Sequence, residues 1–422
     1  MKKLLLCALL LLGLLGLAQG LGHYQYQQQV SQWLTQLAQQ QQWQLSRQID
    51  NSNWWQQNET WQLQGDLQQL GLAPRAVNLV IQQRVTFWPL WLTGEWQFDP
   101  QQADYQALLQ HYQLAPFAHQ GRWQANIIRQ RLTQQFKLEG FQQTLQQVEL
   151  NVAPLQLNLT SDLAMQQGEL NLDWQGMHLT DHQQQGDFIS IGQIQLSERF
   201  TQHQQWTLVE QANWSVASLS FQLAEAHMSF DLQQLKVNNQ FSEQQQKAYL
   251  GINGELGKLH FSEGEQHLTM EKLRLRSQLG GMPMDSLIQL SQLKQQQTQA
   301  SALDPLVQQI VAAGLDWQLD QLAVNIDSNY SQTVLKGDLQ LSGLAKLLPF
   351  ELTEISKPLQ LLRYLDLKLN IDVSDQLFSY SPLAAYILAL RQAGYLEHQA
   401  GRDQSQLVFN DSEFSMNKIA VN

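Results

Sequence analysis

A chain of 422 residues with 43% hydrophobic residues has room for two or three domains, and this composition excludes a wholly disordered protein. The formal net charge is −12, and no lysine or arginine block follows Lys2-Lys3. Nucleic-acid phosphates require clustered cations, so a nucleic-acid partner is not expected. The sole cysteine, Cys7, lies in the N-terminal apolar run. The part that follows therefore has no disulfide, cysteine nucleophile or thiolate metal ligand.

The N-terminus predicts export. Lys2 and Lys3 precede an apolar run from Leu4 to Leu21, and Ala18-Gln19-Gly20 offers small residues for signal cleavage. At about 1.5 Å per residue, a run of about 18 residues nearly crosses a hydrocarbon layer of about 30 Å. A cleaved signal and a retained anchor over residues 1–22 both stay open, and in either case the lysines remain inside. A retained anchor would place these side chains in the membrane: Leu4, Leu9, Leu12 and Leu15.

Residues 23–135 predict an exported α+β region. Val30, Trp33, Leu34 and Leu37 recur at helical spacing, which predicts an amphipathic helix from Gln29 to Leu45. From Trp61 the hydrophobic period changes to two, which is typical of strands. The strands of this region are predicted to be separated at four turn-forming or strand-breaking residues: Gly71, Pro74, Pro89 and Gly94.

The stretch GELNLDWQG, residues 168–176, shows the pattern that dominates residues 136–283. Leu170, Leu172 and Trp174 share one side of an extended chain, because successive strand side chains alternate between two faces. These three side chains are candidates for contact with lipid. The links between such stretches are short, which favours an antiparallel sheet over parallel crossovers. The alternation recurs in further segments of the chain: 155–165, 188–196, 206–223, 228–237, 248–261 and 267–279.

Residues 284–314 predict a helical insert, because leucine, isoleucine and valine recur at intervals of three and four before Gly314. Residues 315–422 predict a C-terminal β region with a helix over 381–394 that ends at Gly394 and a terminal hairpin. The clearest strand of this region places five further candidates for lipid contact on one face: Leu365, Leu367, Leu369, Ile371 and Val373.

No group of residues predicts an active site. His178, Asp181 and His182 form the one histidine cluster, but a metal site needs three or four converging ligands, and polar turn residues explain the cluster more simply. The Ser-x-x-Lys spacing occurs at 291–294 and 415–418 without a companion motif. The glycines of GINGELG, residues 251–257, lie within a strand pattern and indicate bulges or close strand approach. We predict no catalytic residue, metal ligand or cofactor.

Tryptophans concentrate in the first hundred residues. Packing in a core is the simpler interpretation, and seating at a membrane interface or on a lipid is the alternative, because indole suits a surface that is half apolar and half wet. The residues concerned are Trp54, Trp55, Trp61, Trp88, Trp91 and Trp96.

The segment SQLVFNDSEFSMNKIAVN, residues 405–422, carries a family resemblance. With the predicted anchor and the alternating body, it resembles the YdgA-type family of uncharacterised Gram-negative envelope proteins, which tends to end in a strand, a glycine-containing turn and a strand that closes on Asn-Gly. Asn417-Lys418 stands in the place of Asn-Gly here, and Asp411-Ser412 lies in the turn. Phe87-Trp88-Pro89-Leu90 stands where the family often has His-Gly-Pro.

The resemblance implies an inner-membrane anchor and a periplasmic domain, and it implies no activity. A more distant similarity, in style rather than in motif, is to the AsmA-like envelope proteins, anchored β-rich bodies implied in phospholipid traffic.

We predict a mainly β fold with accessory helices, in which one or more extended antiparallel sheets follow an N-terminal transmembrane or signal helix. An open sheet has one dry face, which helices, a second sheet or a ligand must cover. Three functions stay open: a non-enzymatic, inner-membrane-anchored periplasmic protein that binds or shields lipid, an envelope scaffold with a self-packed core, or an enzyme without a recognisable motif. The first is our leading hypothesis, and the oligomeric state stays open.

Overall fold

The computed structural model describes residues 18–28, 30–31, 44–66, 76–111, 114–145, 147–183, 186–203, 206–295, 304–330, 334–354, 358–379, 381–410 and 413–420. These residues are mainly in β-strands, and all strand pairs within each unit described below are antiparallel. The chain divides into two compact units, Met1–Gln175 and Gly176–Asn422, hereafter unit 1 and unit 2.

Unit 1 contains two described helices. Helix α1 covers residues 18–28, with residues 30–31 also helical, and helix α2 covers Ala103–His111. The strands of unit 1 are β1 (Gln44–Ser52), β2 (Gln56–Asp66), β3 (Ala76–Trp88), β4 (Trp91–Phe98), β5 (His119–Asn126), β6 (Arg131–Leu138), β7 (Phe141–Leu145), β8 (Val148–Val152), β9 (Leu155–Asp162) and β10 (Gln167–Trp174).

The strands of unit 1 follow one another in an up-and-down order, β1-β2-β3-β4-β5-β6-β9-β10, and β7 and β8 form a separate hairpin. Because antiparallel neighbours reverse direction, the turns β1–β2, β3–β4, β5–β6 and β9–β10 all lie at the same end of this sheet. The connections that lead into β3 and into β5 lie at the opposite end.

Unit 2 contains four helices among its described residues: α3 (Met284–Gln295), α4 (Asp304–Ala313), α5 (Gln376–Ser379) and α6 (Ala384–Gln392). Two short 3-10 helices cover Leu352–Glu354 and Pro358–Tyr364. The strands are β11 (Met177–Asp181), β12 (Phe188–Ile191), β13 (Ile194–His203), β14 (Trp206–Leu223), β15 (Met228–Gln244), β16 (Lys247–Glu263), β17 (Gln266–Pro283), β18 (Leu315–Ser328), β19 (Leu335–Leu347), β20 (Leu365–Ser374), β21 (Glu397–Gln399), β22 (Arg402–Asn410), β23 (Glu413–Met416) and β24 (Ile419–Ala420).

The sheet of unit 2 is also an up-and-down arrangement. Strand β14 pairs with β12 and β13 on one side and with β15 on the other, and the order continues β16-β17-β18-β19-β20-β22. Strands β21 and β23 both pair with β22, and β24 pairs with β23. Consecutive pairing explains why short links are enough to connect these long strands.

Each unit has a hydrophobic cluster under a helix. In unit 1, Tyr26 and Val30 pack on Val85, Phe87 and Leu92 of the sheet. In unit 2, Met284 at the start of α3 packs on Leu208 and Ala248, near the ends of their strands. The helices therefore cover parts of the sheets.

The prediction of a mainly β fold with antiparallel strands and few helices is confirmed. The helical insert is present as α3 and α4, and Gly314 follows α4 with a positive φ of 74°. The predicted helix over Gln29–Leu45 is wrong at its end, because β1 begins at Gln44; residues 32–43 lie outside the described part. Gly94 lies inside β4 rather than at a break, and Gly71 and Pro74 are outside the described residues.

The predicted anchor over residues 1–22 overlaps helix α1. Residues 18–22 are helical, and Gln19, only 2% exposed, packs against the sheet of unit 1. No helix in the described ranges has the length and apolar character that a membrane span requires. The proposed membrane side chains all lie outside the described residues: Leu4, Leu9, Leu12 and Leu15.

Two glutamines, Gln245 and Gln246, form the turn of the β15–β16 hairpin. Gln244 pairs with Lys247, and Gln245 and Gln246 have φ values of 52° and 63°. Positive φ at both positions is the pattern of a type I′ turn, which favours Asn-Gly, and each L-residue there is strained by about 1–2 kcal/mol. We expect Gln245→Asn with Gln246→Gly to raise the free energy of unfolding by about 1–2 kcal/mol, measured by urea titration.

A glycine elsewhere in the same strand is the matched control. Gln240 is exposed in the interior of β15, where glycine has no positive φ to relieve. Gln240→Gly is therefore expected to lower stability by about 0.5–1 kcal/mol. A loss of stability in the turn variant would contradict the assignment of strain to this turn.

Candidate functional site: apolar surfaces of the two units

Unit 1 has a partly open cavity of about 470 Å³ between helix α1 and the sheet. This volume lies within the range of small-molecule sites, about 300–1,000 Å³. The wall combines apolar side chains with five glutamines: Gln25, Gln28, Gln83, Gln130 and Gln134. Six side chains from five strands form most of its apolar part: Trp61, Ile81, Leu92, Trp96, Trp123 and Leu132.

Two Gly-x-Trp motifs build the floor of this cavity. GEW, residues 94–96, and GRW, residues 121–123, lie opposite each other on β4 and β5. Each tryptophan pairs with the glycine of the other motif, and a Cβ on Gly121 would lie 1.8 Å from Trp96 Cε2. The middle residues, Glu95 and Arg122, form an exposed ion pair on the other face of the sheet. The two motifs therefore fix the register and open space for both indoles.

A buried ion pair lies beside the cavity. The Glu59 side chain is fully buried, and both of its carboxylate oxygens accept hydrogen bonds from Arg47, at 2.6 and 3.0 Å. The same carboxylate accepts from the Tyr26 hydroxyl at 3.0 Å, from Gln57 at 2.6 Å and from the Trp61 indole at 2.8 Å. A buried carboxylate is tolerated because these donors replace its water shell.

This network holds helix α1 on the sheet. Arg47 also donates to Gln27 Oε1 at 2.8 Å, and its guanidinium lies 5.2 Å from the centre of the Tyr26 ring. Burial and the Glu59 charge raise the pKa of the Tyr26 hydroxyl, so it stays a donor. Burial, then the Arg47 charge, lowers the pKa of His23, which stacks on Phe87 at 3.7 Å. Each of these side chains is held by a hydrogen bond, an ion pair or a stacking contact, so we infer that they stabilise the fold and do not take part in a reaction.

Seven of the tryptophans described in unit 1 form two groups. Trp61, Trp96 and Trp123 line the cavity. Trp54, Trp55, Trp88 and Trp91 lie at the turns of the sheet, where Trp88 and Trp91 stack at 5.9 Å. Packing against the core is confirmed for Trp61 and Trp123, and seating at a membrane interface stays a prediction for the tryptophans at the turns. We call the following exposed side chains of the β1–β2, β3–β4 and β5–β6 turns the turn surface: Trp54, Trp55, Trp88, Leu90, Trp91 and Ile128.

Unit 2 carries a continuous apolar sheet face. The strand register aligns apolar side chains of neighbouring strands in rows that cross the sheet. One row consists of Ile191, Leu219, Leu232, Leu259, Met270 and Ile326. A second consists of Leu196, Trp214, Val237, Gly254, Leu275, Leu322, Leu341 and Ile371. A third consists of Phe241, Leu250, Leu279, Trp317, Ala345, Leu367, Phe409 and Phe414.

A line of strand irregularities keeps these rows on one face. In β15 the apolar spacing changes from two to three between Leu232 and Leu235, where Gln234 has a φ of 56°. In β17 the same change falls between Met270 and Leu273, where Lys272 has a φ of 54°. An extra residue in a strand reverses the alternation, so without a bulge the second half of each strand would face away.

The apolar face is only partly covered in the described part of the chain, although four side chains on this face are buried: Leu256, Leu319, Val324 and Val373. Trp214 is 49% exposed and Leu250 is 41% exposed. Apart from these two, every non-glycine side chain of the three rows is half-buried, although mid-strand core residues are normally fully covered. Helix α3 contacts β14, β16 and β17 near Met284, at one end of the sheet, and α4 contacts β17 and α5 contacts β19. Unit 2 therefore carries an apolar sheet face that is open in part, hereafter the open face.

The structure places the predicted lipid-facing residues on these two apolar faces. Leu172 of β10 pairs with Leu157, which pairs with Phe136, on the face that carries Trp96 and the cavity. Leu170 and Trp174 are half-buried on the same face of β10. In β20, Val373 is buried, and the four others are half-buried on the open face of unit 2: Leu365, Leu367, Leu369 and Ile371.

The candidate reactive motifs do not assemble into sites within the described ranges. His178 lies 2.9 Å from the Thr180 hydroxyl, and no group of three metal-ligating side chains is found in that part of the chain. Ser415 lies in β23, and Lys418 lies in the turn that follows. Of the three glycines of GINGELG, Gly257 lies against Gln234 of the neighbouring strand at the line of bulges, as predicted, whereas a Cβ on Gly251 or Gly254 would make only an ordinary contact at 3.7 Å.

The C-terminal motif of the resemblance has a structural role. Asn417 and Lys418 form the two-residue β23–β24 turn, with φ values of 47° and 66°. The Asn417 side chain accepts a hydrogen bond from Gln406 N and donates to Tyr395 O. Asparagine therefore ties the turn to β22, and a second position with left-handed backbone favours glycine. Asp411-Ser412 lies outside the described residues.

Sequence reasoning missed the buried pair of Arg47 and Glu59 and the cavity. Arg47 and Glu59 lie on β1 and β2, and both strands begin before the predicted start of the β pattern at Trp61. The repeated Gly-x-Trp motif was the available signal for the cavity, because a large ring two residues after a glycine suits paired antiparallel strands.

Comparison with curated proteins and with solved structures gives no significant match. A family model with the description "Bacterial protein of unknown function (DUF945)" matches residues 1–407. The match covers almost the whole chain, so this protein belongs to the bacterial family DUF945.

Proposed function

We propose that this protein is a non-enzymatic, membrane-anchored envelope protein that binds or shields lipid acyl chains. The open apolar face of unit 2 is the observation that carries the proposal. Two of its rows continue across eight strands and one across six, and their side chains are half-buried or exposed rather than fully packed. Exposed apolar area costs about 25 cal/mol per Å², so an apolar ligand along this face would stabilise the protein.

The dimensions of the face suit extended chains. The apolar row from Leu365 to Val373 spans about 27 Å at about 3.4 Å per residue, which is comparable to an acyl chain. Its side chains are leucine, isoleucine and valine, and no nucleophile or general acid or base lies among them. Such a surface can bind a hydrophobic molecule, and it offers no groups for chemistry on it. Binding is therefore proposed in preference to catalysis.

We also propose that the anchor is retained in a Gram-negative inner membrane with both units in the periplasm, as in a YdgA-type protein. Gln19 donates hydrogen bonds to Trp54 O at 2.8 Å and to Phe87 O at 3.0 Å. Cleavage at Ala18-Gln19-Gly20 would remove this side chain and the first turn of α1. A retained segment keeps both carbonyls paired, which supports the anchor over a cleaved signal.

The test is the lipid content of the full chain purified from membranes, measured by mass spectrometry, in the native protein and in Leu369→Asp. Leu369 is half-buried on the open face, so its carboxylate would reach water and the fold should survive. A charge there would displace about two to three methylene groups from contact, a loss of about 2 kcal/mol or roughly thirtyfold in affinity.

Asn370→Asp is the matched control, because it adds the same charge to the opposite face of the same strand. Asn370 is exposed, and its Oδ1 accepts from Gln406, a role that aspartate retains. Lipid content should fall in Leu369→Asp and stay unchanged in Asn370→Asp. Equal lipid content in both, or loss of cooperative unfolding in Leu369→Asp, would favour the scaffold with a self-packed core.

A further inference from the structure

The turn surface of unit 1 is an exposed, almost uncharged apolar surface. Its six side chains are between 37 and 69% exposed. The turn segments that carry them, residues 52–56, 86–93 and 126–130, contain a single charged residue, Arg129, and no carboxylate. The β9–β10 turn beside them, residues 163–166, is also uncharged. The surfaces of soluble proteins rarely group so many large apolar side chains with so few charged side chains between them.

The opposite end of the same sheet has a different composition. Acidic residues end β2, follow β4, lie in the first turn of α2 and follow β6: Asp66, Asp99, Asp104 and Glu139. No side chain at the described part of that end belongs to the exposed large hydrophobic residues. Unit 1 therefore has one apolar end and one acidic end, and only the apolar end suits contact with a nonpolar surface.

Helix α1 starts at the apolar end. Gln19 binds the Trp54 and Phe87 carbonyls, and a Cβ on Gly22 would lie 3.3 Å from Ile127. Seven residues after Gln19, Tyr26 binds Glu59, further along β2 from the turn. The helix therefore runs away from the turn surface, and its first described residue, Ala18, which the apolar run precedes in the sequence, lies at that end.

We propose that the turn surface docks into the interfacial layer of the lipid bilayer that holds the N-terminal anchor. The proposal rests on the anchor of the proposed function and adds a second contact between unit 1 and the membrane. Tryptophan favours this layer, because its ring is apolar and its N–H needs a polar partner. Four of the six side chains of the turn surface are tryptophan, which fits a bilayer interface better than a dry protein contact.

In this orientation one side of the cavity would face the membrane. Ile127, Gln130, Leu163 and Ala164 belong to the turns at the membrane end, and all four line the cavity. Docking would place this side of the cavity next to the lipid headgroups. A hydrophobic molecule would then have a short path from the bilayer to Trp96 and Trp123.

The experiment measures the depth of single labelled sites in the full chain. Cys7→Ser removes the sole cysteine, and Ile128→Cys or Gln101→Cys then carries a polarity-sensitive fluorophore. Ile128 lies in the turn surface, and Gln101 is exposed at the acidic end. In vesicles of phosphatidylethanolamine and phosphatidylglycerol with brominated chains, the Ile128 label should shift to the blue and lose intensity. The Gln101 label should do neither.

A second variant tests the tryptophans themselves. Trp55→Gln with Trp88→Gln should bring quenching of the Ile128 label down toward the Gln101 value. Thermal unfolding should stay unchanged, because both indoles are exposed. An Ile128 label that is quenched no more than the Gln101 label would overturn the docking proposal. Disulfide-linked dimers of unlabelled Ile128→Cys without such quenching would assign the turn surface to self-association instead.

Carbonate extraction of the same vesicles separates this proposal from the anchor. A chain that resists extraction while its Ile128 label stays unquenched has an anchor but no docked turn surface, and only the docking proposal fails. A chain that is extracted although its Ile128 label was quenched binds through the turn surface alone. That result would overturn the anchor of the proposed function and support docking.

Discussion

Arg47→Met is expected to lower the free energy of unfolding of unit 1 by about 3–5 kcal/mol, because it leaves a buried charge without its partner. Glu59 has a fully buried side chain, and Arg47 supplies two of its hydrogen bonds and the compensating charge. Tyr26, Gln57 and Trp61 would remain as neutral donors. Urea titration followed by tryptophan fluorescence measures the loss.

Two further variants separate charge burial from lost packing. Arg47→Met combined with Glu59→Gln removes both charges and should recover most of the stability, since neutral buried groups cost much less than an unpaired ion. Glu95→Gln breaks the exposed pair with Arg122 and should cost less than about 1 kcal/mol. Equal losses for Arg47→Met and Glu95→Gln would show that the buried pair is not stabilising helix α1.

The strands could be predicted because alternation is a local property. Leu365, Leu367 and Leu369 alternate with polar residues, because successive side chains of a strand point to opposite faces of the sheet and only one of these faces is apolar. The points at which one strand ends and the next begins could not be predicted from the same rule. In β15–β16 the turn is formed by Gln245-Gln246, which lacks the glycine and asparagine that mark a type I′ turn.

The continuity of the open face was present in the sequence as an irregularity. Apolar residues three apart, such as Leu256 and Leu259 or Leu319 and Leu322, interrupt five consecutive strands. A strict period of two would place the second member of each pair on the polar face. Spacing alone does not distinguish a bulge from the end of a strand, so the aligned face required the register of neighbouring strands.

The site of unit 1 was beyond the reach of sequence patterns for a different reason. Trp61 and Trp96 line the cavity, whereas Trp88 and Trp91 lie on the turn surface, although all four occur in strand-like stretches. Which tryptophans are covered depends on where helix α1 lies on the sheet. That position is fixed by Gln19 and Tyr26, whose partners are 33 to 68 residues away along the chain.

Gly121→Ala is expected to lower the free energy of unfolding by about 1–3 kcal/mol, because it inserts a methyl group where an indole ring already lies. The new Cβ would lie 1.8 Å from Trp96 Cε2, and the ring is held by stacking on Phe136 at 5.6 Å. Trp96 must therefore move, and the cavity that it lines changes shape. In a Trp96→Leu background the same substitution should cost much less, which a double-mutant cycle measures.

Gly254→Ala is the matched control for this expectation. Gly254 also lies inside a strand, but a Cβ there would meet Leu275 at 3.7 Å, an ordinary contact, and its backbone needs no positive φ. Alanine would reduce the conformational freedom of the unfolded chain, so stability should rise by about 0.4–1 kcal/mol. Opposite signs for the two alanines would establish that the Trp96 ring, rather than glycine in a strand as such, sets the cost at Gly121. A gain of stability in both would show that the indole moves freely and that the Gly-x-Trp pair does not fix the register.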